Sequence, residues 1–543
     1  MMAAKPTTDV PWWKSGIIYQ IYPRSFCDAN GDGVGDIQGI ISKLEYLEWL
    51  GVRAIWISPI FPSPMADFGY DVADYTNIDP IFGTMDDFDQ LLQQAHARGL
   101  YVLLDFVPNH TSDRHPWFVE SRRSQNSAKR NWYIWHDGKP DGSPPNNWKS
   151  VFGGDAWEWD ADTGQYYYHG FLKEQPDLNW RNPDVKEAMY NAMRFWLDKG
   201  VDGFRVDVMW HLIKDLQLRD NPPNPEYTTS QPSYNQLLPV YSTDQPEVHA
   251  VVAEMRKVVD AYDHRVIIGE IYLPIQQLMA YYGPQNDGAH MPFNFLLLNT
   301  PWFAPEISAA IDQYEGALPA DGWPNWVLGN HDQPRLISRV GEHQARIAAM
   351  LLLTLRGTPT LYYGDEIGMR DVPIPVEEIR DPQGIHMPNK DLSRDPCRTP
   401  MQWSAGPYAG FSTATPWLRV DRNYARINVE AQRNSYFSML SFYRKLIHLR
   451  NQEPALNHGT YTPIGATEQL LAYRRDSPLG DSFMTVLNFT SRPCRFSQPA
   501  PPLTGEVVAA TAPEWENMSI QSDIYLAGDE GVLIRLKYGK NTT

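Results

Sequence analysis

One repeated unit constrains this chain more than any other feature. A short apolar run is followed by an amphipathic stretch, and then by the next apolar run. The runs fall at residues 17–22, 54–58, 101–105, 203–207, 266–270, 291–294, 326–329 and 360–363. Between them lie helical patterns. Ile37, Ile40, Ile41, Leu44, Leu47 and Leu50 are spaced for one helix over 36–50, stopped by Gly51. Thr84 and Asp87 form a capping box, and that helix ends at Gly99. Asn182-Pro183-Asp184 starts a helix that ends near Gly200. Further helices are expected at 247–261, 342–355 and 436–450. Strand–helix alternation builds a parallel sheet, and eight repeats predict an α/β fold, a closed (β/α)8 or TIM barrel.

The rhythm breaks twice. Residues 109–175 are rich in Trp, Asn, Gly and Pro, too long for a plain loop, and read as a domain inserted after the third strand. After about residue 450 the pattern becomes short strands, such as 483–488 and 531–536, separated by Pro and Gly. The expected division is a barrel over 1–108 and 176–455, the insertion over 109–175, and a C-terminal antiparallel β-sandwich over 456–543.

Composition narrows the partners. The net charge of −18 disfavours phosphate backbones and anionic lipid, so no nucleic-acid or membrane partner is expected. Residues 348–355, the longest apolar stretch, fall far short of the roughly 20 needed to span a bilayer. Residues 1–10 lack an apolar core for export. With Cys27, Cys397 and Cys494 too sparse for a disulfide framework, they point to the cytosol, although a processed periplasmic or secreted protein would read the same way. Aromatic residues make up 13% of the chain, more than a core needs, which suggests flat surfaces for a sugar ring. The sequence sets no oligomeric state.

In such a barrel, chemistry sits where the strands end. Asp105 ends the third run, Arg205 and Asp207 the fourth and Glu270 the fifth; His331-Asp332 follows the seventh. Singly, each acid is most simply a salt-bridged or capping residue. Together they make an acidic rim, fit either for a divalent metal or for glycoside cleavage by a nucleophile and an acid. Few histidines lie nearby, which disfavours a transition metal. Arg205, on the same strand face as Asp207, would keep that carboxylate ionised.

The motifs 105–110 (DFVPNH), 203–207 (GFRVD), 269–270 (GE) and 330–332 (NHD) resemble the signature regions of the α-amylase superfamily, glycoside hydrolase family 13. The stretches 175–180 (QPDLNW) and 394–403 (RDPCRTPMQW) resemble its oligo-1,6-glucosidase and α-glucosidase branch. This resemblance implies a retaining mechanism, with Asp207 as nucleophile, Glu270 as acid and then base, and Asp332 holding the sugar 2- and 3-hydroxyls. It also implies that His110, Arg205 and His331 bind the terminal glucose or place carboxylates. Asp67 and Arg398 would close the pocket beyond the 4-hydroxyl. Tyr70 would stack on the sugar, and Phe152 and Phe171 would form the mouth unless they are ordinary core.

Near the N-terminus, Asp28, Asn30, Asp32, the Val34 carbonyl and Asp36 occupy positions one, three, five, seven and nine of a calcium-type loop. Gly39 stands at position twelve, so a true EF-hand is excluded. The alternative is a polar turn. The resembled branch carries a structural site of this kind, so Ca2+ is expected, with Mg2+ the other hard cation that would suit; no organic cofactor is expected.

Three functions compete. The first is an exo-acting α-glucosidase on short maltose- or isomaltose-type glucosides, with transglucosylation as a side activity. The second is a glucosyl-transferring isomerase of the sucrose isomerase or trehalose synthase type. The third is a non-catalytic relative, disfavoured by intact Asp207, Glu270 and Asp332. Residues 329–335 (GNHDQPR) look like the hydrolase form. Val208 is the residue type common in isomaltose-cleaving relatives, whereas the following Met209-Trp210-His211-Leu212 departs from them.

Overall fold

The computed structural model describes residues 10–497 and 503–537. The export reading of the first ten residues therefore lies almost wholly outside the described residues. All eight apolar runs form strands: Ile18–Ile21, Ala54–Ile57, Tyr101–Phe106, Gly203–Val206, Val266–Gly269, Met291–Asn294, Asn325–Val327 and Thr358–Tyr362. They pair in parallel and in order, and the first closes on the eighth.

Strand alternation sorts the side chains. Ile18, Ala54, Trp56, Leu103, Ile268, Phe293 and Val327 fill the barrel interior. Their neighbours Tyr19, Ile55, Ile57, Val102 and Leu104 pack outward with the helices. The same alternation carries Asp105 and Arg205 inward, one step above the apolar plug. Asp105 is in register with Arg205 on the adjacent strand.

The end signals hold where they are strongest. Thr84 and Asp87 form a reciprocal capping box on the helix Met85–Ala97. Asn182 caps Pro183–Lys199, and Gly200 ends it in the left-handed region. The expected single helix over 36–50 is instead two, Ile37–Ser42 and Leu44–Leu50, broken at Lys43 (φ −111°, ψ 4°). The break lets both pieces bury their apolar residues, Ile37 and Ile40 in one and Leu44, Leu47 and Leu50 in the other. The helix expected from 436 begins at Met439, because Ser438 accepts the Ser441 N–H and sets the start.

After the third strand the chain leaves the barrel. It forms a helix, Pro116–Arg122, and a three-stranded antiparallel sheet of Trp135–His136, Gln165–Tyr168 and Trp157–Asp160. Trp148, Trp157 and Tyr168 make this insertion a small core of its own. The chain returns through a bridge between His110 and Asp177. Two long connections also leave the barrel rim, 207–247 after the fourth strand and 363–438 after the eighth.

At the C-terminus a six-stranded antiparallel sheet runs from Thr460–Ala466 to Ser519–Ile520, beside a two-stranded sheet of Cys494–Phe496 and Ile524–Leu526. Met484, Val486, Phe496, Ile524, Val532 and Ile534 pack between them. Buried Arg475 ties this domain to the barrel, donating to the carbonyl of Thr354. Among the described residues no helix is long and apolar enough to cross a membrane.

Candidate active site

A cavity of about 890 Å³ opens at the C-terminal ends of the strands. At its base one guanidinium organises three carboxylates. Arg205 Nη1 donates to Asp105 Oδ1 at 2.8 Å and to Asp207 Oδ1 at 2.7 Å, while Nη2 reaches Glu270 Oε2 at 2.9 Å. Arg205 is 1% exposed and Glu270 4%. Burial pushes Glu270 above the usual carboxylate range, and Asp207 upward too, against the pull of Arg205. Three buried carboxyls share one cation, so burial and mutual repulsion favour the protonated form of Asp207 and Glu270 against the pull of Arg205.

The seventh strand delivers Asp332. Burial opposes its charge, and Arg394 and Arg398 overcome this and hold it well below the usual range. Its Oδ1 accepts from Arg398 Nη2 at 2.8 Å and from Arg394 Nη1 at 3.2 Å. His331 lies 3.3 Å away, but burial keeps that imidazole neutral, so the arginines supply the charge. The His331 ring lies parallel to Tyr70 with centroids 5.4 Å apart, and its Nε2 is 2.6 Å from the Tyr70 hydroxyl. That hydroxyl also donates to Asp105 Oδ2 at 3.0 Å. Tyr70 is thus fixed by hydrogen bonds, and it lines the cavity.

At the closed end the structure corrects one expectation. Asp67 pairs with Arg394, not Arg398: Arg394 Nη2 meets Asp67 Oδ1 at 2.7 Å. Arg398 is fully buried behind the wall, donating to the His331 carbonyl at 2.7 Å and to Asp332. The one-turn helix Asp395–Cys397 separates the two arginines and sends them to different places. Arg205 and His331 likewise stand behind the cavity surface, whereas Asp67, Tyr70, His110, Phe152, Phe171, Asp207, Glu270 and Asp332 line it.

From the insertion, Phe152 and Phe171 meet edge to face at 5.8 Å, and the Arg394 guanidinium lies 5.0 Å from the Phe152 ring centre. His110 Nε2 sits 3.1 Å from the Tyr70 carbonyl, and burial lowers its pKa to about 4, so it acts as a neutral hydrogen-bonding group.

Sequence reading missed several residues. Gln175 Nε2 bridges Asp67 Oδ2, at 3.3 Å, and His110 Nε2, at 3.1 Å. Asp381, fully buried, accepts from the Arg394 backbone N–H at 2.8 Å, from Nε at 2.9 Å and from Nη2 at 2.6 Å. Trp210, His211, Tyr272 and Asp371 also line the cavity. Gln175 and Arg394 stand inside quoted motifs and were open to assignment. Asp381, before Pro382, offered only a helix-start signal.

The N-terminal loop is tightly wound. Asp28 accepts from the N–H groups of Gly31 (2.7 Å) and Gly33 (2.8 Å) and from the Ser412 hydroxyl at 2.5 Å. Asn30 and Asp32 accept from the N–H groups two residues on, and Asp36 from those of Ala29, Asn30 and Gly39. Gly39 must lack a side chain, since a Cβ there would stand 1.8 Å from the Cys27 carbonyl oxygen. Three carboxylates, an amide and the Val34 carbonyl supply oxygens of the type Ca2+ or Mg2+ takes, but the side-chain oxygens are engaged by the loop's own N–H groups. Among the described residues no three acidic, His or Cys side chains stand grouped as metal ligands, so the loop's own N–H groups shape it.

Residues 20–459 match the model of the α-amylase catalytic domain. The chain is 43% identical over 482 residues to a probable α-glucosidase of Rhizobium meliloti, covering 86% of this chain and 87% of the relative. It is 40% identical over 525 residues to the oligo-1,6-glucosidase of Parageobacillus thermoglucosidasius, covering 90% and 92%. In three dimensions it resembles the α-glucosyl transfer enzyme XgtA at TM-score 0.92 and 39% identity, covering 97% of this chain and all of the other.

Proposed function

The chain belongs to the α-amylase family, and from that membership we propose that it is a retaining, exo-acting α-glucosidase that releases α-glucose from the non-reducing end of short α-glucosides. The observation that carries this reading is a cavity with Asp207, Glu270 and Asp332 at its base and the Asp67–Arg394 pair sealing one end. A polysaccharide needs an open cleft, whereas a sealed pocket accepts only a chain terminus.

Asp207 is the nucleophile. It attacks the anomeric carbon as the glycosidic bond breaks, and Glu270 gives its proton to the leaving oxygen. Glu270, now ionised, removes a proton from water, which displaces Asp207 and returns the α-anomer. Two carboxyls held by adjacent nitrogens of Arg205 suit the close spacing, about 5–5.5 Å, of a retaining pair. Asp332, kept ionised by Arg394 and Arg398, accepts hydrogen bonds from the sugar's 2- and 3-hydroxyls. Asp67 and Arg394 take the far hydroxyls, and buried Gln175 positions Asp67 and His110 behind them. Tyr70 and Phe171 face the ring.

The aglycone side, lined by Val208, Trp210, Tyr272 and Leu273, admits a sugar or alcohol acceptor in place of water, so transglucosylation accompanies hydrolysis. A glucosyl-transfer role is the second reading, carried by the likeness to XgtA. The N-terminal loop would hold Ca2+ through Asp28, Asn30, Asp32, Asp36 and the Val34 carbonyl, with a purely structural role. Three unpaired thiols suit a reducing cytosol.

Product analysis on maltose, isomaltose, sucrose and trehalose tests the proposal. Initial release of α-glucose from maltose or isomaltose is expected. Initial β-glucose would exclude retention, and isomerised disaccharide as the sole product would replace hydrolysis with intramolecular transfer.

A further inference from the structure

A second cavity, of about 500 Å³, lies away from the catalytic pocket, between the helix Ala345–Thr354 and the connection 363–438. Three arginines line it, Arg346, Arg370 and Arg426, against a single acid, Glu342. Arg370 is matched by Asp421, 2.8 Å from its Nε. The other two are not: among the described residues neither Arg346 nor Arg426 forms an ion pair with a carboxylate. Arg346 is half-buried, and burial lowers its pKa with no negative charge to offset the cost. Its contacts are the Phe437 carbonyl and the face of Phe442, 5.1 Å from the ring centre. A partly desolvated guanidinium without a counter-charge is unfavourable unless an anion is bound beside it.

That concentration of cation stands out on a chain of net charge −18. The cavity exceeds the size of a lone oxyanion, and two exposed aromatic residues lie between two of its lining residues. Between the lining residues Ser435 and Ser438, Tyr436 and Phe437 are 73% and 50% exposed and meet edge to face at 4.7 Å. Guanidinium groups grip phosphate oxygens in pairs, and exposed aromatic rings pack on the apolar face of a sugar.

We propose that this cavity is a second ligand site, which binds a small sugar phosphate through Arg346 and Arg426. The site is independent of the catalytic residues and of the reaction assigned to them.

Isothermal titration calorimetry with glucose 6-phosphate, inorganic phosphate and glucose, at matched ionic strength, tests it on the full chain. Glucose 6-phosphate is expected to bind saturably, and R426E to weaken it at least tenfold while glucose binding in the catalytic pocket is unchanged. Arg426 is exposed, so that variant folds; R346Q, which keeps most of the side-chain volume, should weaken binding in the same direction. Inorganic phosphate binding as tightly as the ester, and lost in R426E, would support the phosphate contact and remove the sugar contact. Absence of saturable binding, or binding that both variants retain, overturns the proposal.

Discussion

The backbone N–H of Val208 donates to Glu270 Oε2 at 2.9 Å, from a residue held in the left-handed region at φ 36°, ψ 47°. For a β-branched residue that conformation costs about 1–3 kcal/mol, so the surroundings must impose it. Hydrogen bonds from Met209 N–H to the Glu270 carbonyl (3.2 Å) and from His211 N–H to the Val208 carbonyl (2.8 Å) do so. The acid therefore receives a fixed donor whatever side chain follows the nucleophile. Val208→Thr should alter the preference between maltose and isomaltose by no more than about 1–3 kcal/mol, the scale of a single pocket contact. The basic limb of the pH–rate profile should stay in place. A limb that moves with the substitution would show that the side chain, not the backbone, controls Glu270.

Activity requires a single proton on the Asp207–Glu270 pair. Burial raises Glu270, so its proton is retained to higher pH than the value of about 4.3 for an exposed glutamate. Activity should fall as pH rises through the raised value, and fall again in acid when the pair takes up a second proton. In Glu270→Gln the basic limb should vanish and kcat should drop by about 10²–10⁴. Aryl α-glucosides, whose leaving groups need little protonation, should lose least in the first step. A basic limb that survives the substitution would mean that another group titrates there.

Arg394 joins Asp67, Asp332 and Asp381 through one guanidinium. Arg394→Lys cannot reproduce the fork and leaves buried carboxylates short of donors, at a cost of up to about 3–5 kcal/mol in stability. A fall in kcat/KM of at least two orders of magnitude is expected. Asp381→Asn keeps the shape but weakens the anchor, so KM should rise more than kcat falls. Equal losses in both variants would indicate that Asp381 does more than position Arg394.

Calcium should raise the melting temperature and chelation should lower it, with little change in kcat for the protein that remains folded. At a hundredfold excess over Kd the gain is about 2.7 kcal/mol. Asp32→Ala should abolish the calcium response, since Asp32 is exposed enough to be replaced without disturbing the core. A melting temperature indifferent to both metal and chelator would leave the loop as a polar turn.

The eight strands were legible because each is an apolar run bounded by a clear break, and the barrel follows from their number. Asp105, Arg205, Asp207 and Glu270 were legible for the same reason, since strand alternation fixes which way they point. The closed end was not. Arg394 and Arg398 stand four residues apart in one motif, and only the turn Asp395–Cys397 decides which of them reaches Asp67. Asp381 and Gln175 lie on connections without periodicity, where position along the chain says nothing about direction. The kink at Lys43 was hidden because both halves of the helix share one apolar phase.

The ion pair that seals the pocket links positions 327 residues apart. Asp67 leaves the ribosome early, on the connection after the second strand; its partner arrives only after the eighth. Any shorter product of translation or proteolysis that ends before Arg394 lacks the seal even if the nucleophile, the acid and Asp332 are all in place. Selectivity for chain ends is thus among the last properties the growing polypeptide acquires, and a fragment that lacks it would hold its carboxylates at the floor of an open trough.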